Sequence, residues 1–128
     1  MRGYVKLITE KAPGKLYIAG EYAVVENGYP AILVALDQFV TCSIEESAAE
    51  VGKIISRQYH NNALQWHRLG EQMVVDNRDN PFSYILSAIK VTEEYARSFA
   101  RELRIFDLHI DSQLDSDSGK KYGLGSSA

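Results

Sequence analysis

The chain changes its hydrophobic period close to Asn80 and changes back before Phe106. Before that point, short segments alternate apolar and polar positions or run apolar throughout, each bounded by Gly, Asn, Pro or charged residues, which is the signature of strands and turns. Val5 to Ala12 and Lys15 to Ala19 read as two strands parted by a turn at Pro13-Gly14, and Asn27-Gly28 marks a second tight turn after Tyr22 to Val25. Val40, Cys42 and Ile44 alternate with Thr41, Ser43 and Glu45 along a further strand. Lys53 to Tyr59, Ala63 to Arg68 and Gln72 to Val75 give three shorter ones. Then Ile85, Ala88, Ile89, Thr92, Tyr95, Ala96, Phe99 and Leu103 recur every three or four residues, the apolar face of one long helix. Asn80 suits its cap, Pro81 its first position, and Arg97, Arg101 and Arg104 its negative end. Last, Phe106, Leu108 and Ile110 alternate with Asp107, His109 and Asp111, a strand with one wet face. No internal repeat, linker or low-complexity tract interrupts the series.

Composition narrows the class of protein. With 128 residues, 45% of them hydrophobic, the chain can bury one core. A formal net charge of -3 with acids and bases interspersed leaves no basic footprint for nucleic acid. The longest purely apolar run, Ala31 to Leu36, is too short to cross a bilayer, and Met1 to Lys11 has no leader-like apolar stretch. These features, with a single cysteine, lead us to expect a cytoplasmic protein. Cys42 falls in an alternating strand with no partnered histidine pattern, so we expect a buried, inert thiol. Asp107, His109 and Asp111 share a face and have ligand-type side chains, yet the same spacing is what the polar half of any amphipathic strand produces.

Candidate chemistry sits at the end of the chain, in Gly123-Leu124-Gly125-Ser126-Ser127-Ala128. Two glycines at i and i+2 let successive N–H groups point into one concavity, and the serines add hydroxyls for phosphate oxygens or a metal ion. Such loops work with the free N–H groups of a helix start. Taken alone, the hexapeptide also reads as a Gly/Ser-rich turn. A dinucleotide fingerprint is disfavoured because the polar stretch from Ser112 to Tyr122 separates the glycines from the preceding strand. A Walker A loop is excluded because Lys120 and Lys121 precede the glycines rather than follow them.

A second motif gives the first its context. In Ala12-Pro13-Gly14-Lys15-Leu16-Tyr17-Ile18-Ala19-Gly20-Glu21-Tyr22-Ala23-Val24-Val25, a Pro-Gly pair delivers a lysine to the start of an apolar strand, a suitable holder for a fixed point charge. This motif, followed in order by Gly-Leu-Gly-Ser-Ser-Ala, resembles the GHMP small-molecule kinases, which include galactokinase, homoserine kinase, mevalonate kinase and phosphomevalonate kinase. The wording of Ala12 to Leu36, with Gly20-Glu21-Tyr22, and Lys120-Lys121-Tyr122 before the glycines are most similar to the phosphomevalonate kinases of Gram-positive bacteria. The resemblance runs from Lys11 to Ala128 and covers only the front of the family's sequence.

The resemblance implies a two-layer α+β fold, the amino-terminal ATP-binding domain of these kinases, related to the second domain of a small-subunit ribosomal protein, with residues 1–128 as an incomplete part of it. It implies transfer of the ATP γ-phosphoryl group to (R)-5-phosphomevalonate, with Mg²⁺ as companion ion. Lys15 would sit between the acceptor phosphate and the γ-phosphate, and Glu21 would orient Lys15 or a water. Lys121, helped by Lys120, would bind phosphate oxygens. The backbone of Gly123, Leu124, Gly125 and Ser126 would wrap the β- and γ-phosphates, and the Ser127 hydroxyl would ligate Mg²⁺. The family's catalytic aspartate and third motif would lie past Ala128, so these residues alone are expected to turn nothing over. Phosphomevalonate and ATP are the partners expected; nucleic acid and membrane are not. Two alternatives stay open: a GHMP kinase with an alcohol acceptor such as mevalonate, and a non-catalytic binding module.

Overall fold

A computed structural model describes residues 6–57, 63–75, 82–99 and 102–114. Six strands, β1 (Ile8–Ala19), β2 (Ile32–Glu46), β3 (Gly52–Ser56), β4 (Ala63–Leu69), β5 (Gln72–Val75) and β6 (Phe106–Ser112), form one sheet in the order β1-β2-β6-β3-β4-β5. Every neighbouring pair is antiparallel except β3 and β6. That parallel pair requires a crossover, which β4, β5 and the helix α1 (Ser83–Ala96) supply. The architecture is the expected two-layer α+β arrangement, a sheet with one helix packed on it.

The core forms where α1 covers the middle of the sheet. Ile54, Leu64, Trp66, Leu108 and Ile110 from β3, β4 and β6 pack with Phe82, and Val40, Cys42, Ile44, Ile85, Leu86 and Ile89 close around them. Alternation puts Val40, Cys42 and Ile44 on this inner face and Thr41, Ser43 and Glu45 on the outer one, as their period-two pattern demands.

The structure corrects three expectations. Pro13-Gly14 is not a turn: β1 runs through it as one strand of 12 residues. Because β1 lies at the sheet edge, a proline there can turn its nitrogen to the open side and forfeit no ladder bond. The helix does not reach Leu103 but ends at Ala96, where Ser98 N–H bonds the Tyr95 carbonyl and Arg97 reaches back to the Glu71 carbonyl. Its cap position is Phe82, with Asn80, Pro81 and Arg101 outside the described residues, and Arg104 pairs with Glu46 at 2.8 Å instead of serving the helix end. The buried stripe of α1 is also rotated from the expected one. Leu86 and Ile89 face the core and Glu93 is buried, whereas Tyr95 and Phe99 are exposed and meet each other edge-on with ring centres 5.2 Å apart.

Candidate functional site

Lys15 owes its setting to an irregularity between β1 and β2. Pro13 stands opposite Phe39 and Lys15 opposite Ala35, so the single residue Gly14 faces three, Leu36, Asp37 and Gln38. A bulge of this kind bends the strand and re-aims the side chains beside it. The ammonium of Lys15 emerges just past the bulge, exposed, and lies 5.1 Å from the centre of the Tyr17 ring, within cation–π range. The cation is thus held by ladder register and by an aromatic face.

Glu21 follows β1 on a turn that only glycine permits. Gly20 has φ 84°, and a Cβ there would lie 2.5 Å from the Pro30 carbonyl oxygen. The Gly20 carbonyl accepts the Val24 N–H at 3.0 Å, opening the 3-10 turn Ala23–Val25. Glu21 is exposed on this turn, at the same end of the hairpin as Lys15, and among the described residues no ion pair joins the two.

Lys120, Lys121, Gly123, Leu124, Gly125, Ser126 and Ser127 lie outside the described residues. The point where the chain departs toward them is described. Val40 pairs with Ser112 at the end of β6, and the next rung is Phe39 with Gln113, whose N–H bonds the Phe39 carbonyl at 2.9 Å. Pro13, Phe39 and Gln113 therefore form one line across three strands, with the bulge before Lys15 at one end of it and the exit from β6 at the other. Sequence reading assigned Gln113 nothing; its only signal was a polar residue where the alternation of β6 stops.

Several of the other polar groups have structural work. Asp107 accepts the Lys53 backbone N–H at 2.9 Å, Asp111 lies 3.6 Å from Arg57, and no cluster of three or more His, Cys, Asp or Glu suited to a metal occurs among the described residues. Arg68 donates twice to Glu93, at 2.5 and 3.2 Å, donates to the Arg104 carbonyl at 2.9 Å, and covers the Trp66 ring at 4.9 Å. Both side chains are about nine-tenths buried, so the pair locks α1 to β4. Cys42 is half-buried, and burial raises its thiol pKa, as an inert core cysteine requires. No helix of the described residues is long and apolar enough to span a membrane.

Comparison with known proteins gives this hairpin and bulge a setting. The chain is 34% identical over 131 residues to a phosphomevalonate kinase from a Streptomyces strain, covering 95% of this chain and 35% of that protein. Among solved structures it resembles the Lin0012 protein of Listeria innocua (36% identity, TM-score 0.78, 95% of this chain and 33% of the other). It also resembles Streptococcus pneumoniae phosphomevalonate kinase in complex with phosphomevalonate and AMPPNP (28% identity, TM-score 0.70, 94% and 32%). The chain thus spans about a third of the length of these relatives. No protein-family profile matches it.

Proposed function

We propose that the chain belongs to the GHMP small-molecule kinases, that the protein carrying it phosphorylates (R)-5-phosphomevalonate from ATP, giving 5-diphosphomevalonate and ADP, and that residues 1–128 contribute its amino-terminal ATP-binding part. The observation that carries the reading is the similarity over 95% of the chain to a phosphomevalonate kinase, together with a fold shared with one that holds phosphomevalonate and AMPPNP.

The chemistry asks for what the chain offers. Two polyanions must meet in line, so the barrier falls when rigid cations and oriented N–H donors face the transferring phosphoryl group. Lys15, held by the bulge and by Tyr17, is such a cation, between acceptor phosphate and γ-phosphate. Lys121, with Lys120 beside it, binds phosphate oxygens, and the N–H groups of Gly123 to Ser126 receive the β- and γ-phosphates. Glu21 orients an active-site water. Mg²⁺ needs few protein ligands because it keeps waters and takes phosphate oxygens, so the single Ser127 hydroxyl suffices; when bound, the ion neutralises phosphate charge. We assign the protein to the cytoplasm, where this chemistry finds ATP.

The alternative with mevalonate as acceptor needs no cation for an acceptor phosphate, whereas Lys15 and the Lys120-Lys121 pair provide cations in excess of that need. Supplying phosphomevalonate and mevalonate separately with Mg-ATP to the protein discriminates them: ADP formation with phosphomevalonate alone supports the assignment, and ADP formation with mevalonate alone replaces it.

A further inference from the structure

We propose that Gln113 is a positioning residue for Lys15, its side chain pinning the strand from which the Lys15 bulge is measured. The proposal rests on the reading of Lys15 as the phosphate-facing cation of a kinase. In a regular antiparallel ladder, residues facing each other on a hydrogen-bonded rung exchange two N–H···O bonds. On the rung of Phe39 and Gln113 the first is ordinary, Gln113 N–H to the Phe39 carbonyl at 2.9 Å. The second is not: the Phe39 N–H bonds the side-chain Oε1 of Gln113, also at 2.9 Å. The amide side chain stands in for the backbone carbonyl that a regular rung would offer, at the point where β6 ends. The departure itself is anchored, since Leu114 is 2% exposed and its N–H bonds the Ser112 hydroxyl at 3.1 Å.

Why this should matter for Lys15 follows from what lies on either side of Phe39. Both polar backbone groups of Phe39 point toward β6, so the rung it shares with Pro13 carries no ladder bond between them. Immediately beyond, β2 passes through Leu36, Asp37 and Gln38 opposite Gly14 and meets Lys15 only at Ala35. Among the described residues, the pairing of β2 with β6 starts at Val40 and is extended by Gln113 alone. Phe39 is therefore the last point among the described residues at which β2 is tied to the interior of the sheet before the bulge. Releasing its N–H frees the bulge, and with it Lys15, to shift relative to the point from which the chain runs on toward Lys121 and the glycines. A misplacement of about an ångström in such a constellation is enough to lose one to two orders of magnitude in rate.

The test uses the full-length protein with Gln113→Leu, which removes the acceptor, and Gln113→Glu, which keeps it, each also combined with Lys15→Met. We expect Gln113→Leu to lower kcat about tenfold with KM for ATP within about twofold, and Gln113→Glu to restore kcat to within about twofold. In the Lys15→Met background, Gln113→Leu should cost nothing further, because its effect passes through the missing ammonium. Amide exchange at Phe39 should quicken about tenfold in Gln113→Leu and recover in Gln113→Glu. Unchanged exchange at Phe39, wild-type kcat in Gln113→Leu, or a full second loss in the Lys15→Met background each overturns the proposal. A wild-type protein with no turnover defeats the kinase reading and the positioning role with it, whereas an active wild type with an unaffected Gln113→Leu variant defeats the positioning role alone.

Discussion

Gly52 faces Trp66 directly across the β3–β4 ladder, and the missing side chain of Gly52 is what lets the indole lie across β3 and donate its Nε1–H to the Phe106 carbonyl on β6 at 3.2 Å. A Cβ on Gly52 would run into both the indole and that carbonyl. Trp66 is fully buried and its ring meets Phe106 at 4.8 Å, so one glycine ties three strands through a single side chain. Gly52→Ala should therefore destabilise the fold by about 3 kcal/mol, the upper range for overpacking a tight core, measured as a lower urea midpoint with unchanged slope.

Glu93 and Arg68 form the other fixed point. Removing one partner strands a buried charge, so Glu93→Ala should cost about 3 kcal/mol, while Arg68→Met with Glu93→Leu should recover most of it. Urea unfolding of Arg68→Met, Glu93→Leu and the double variant checks the non-additivity.

The residues that betray themselves in sequence are those whose partners are local or of one kind. The bounds Gln72 to Val75 for β5 and the alternation of β6 follow from side-chain period alone. Pro13-Gly14 misleads because its turn signal is local, while its position at a sheet edge is set by β2, which is distant in sequence. Glu93 hides for a related reason: a charged residue belongs on a buried stripe only when its partner, Arg68 on β4, is known. Within the candidate site, Lys15 is legible through its motif, but the bulge that holds it depends on cross-strand register, and so does the role of Gln113.

Cys42 supplies a chemical check on burial. Desolvation raises its thiol pKa, so the reactive thiolate is scarcer at pH 8 than in an exposed cysteine and becomes populated only at higher pH. Alkylation by iodoacetamide at pH 8 should be at least about tenfold slower than for a free cysteine peptide and should rise as pH increases.

Ser127 bears the metal assignment. Ser127→Ala should raise the Mg²⁺ concentration giving half-maximal activity by about tenfold while leaving the thermal midpoint in place, because a lost ligand weakens ion binding whereas loss of a hydroxyl that serves only the metal does little to stability. A Mg²⁺ titration beside a thermal melt separates the two.

The central claim is phosphoryl transfer to a phosphate acceptor across Lys15, and product formation by wild type and Lys15→Met, followed by ³¹P NMR with Mg-ATP and phosphomevalonate, tests it most directly. Lys15→Met keeps the side-chain stem and deletes the charge, so the account predicts 5-diphosphomevalonate from the wild type and a turnover lower by about a hundredfold or more in the variant, with the fold intact. Equal rates for the two proteins, or a wild type that forms product from mevalonate and none from phosphomevalonate, would contradict it.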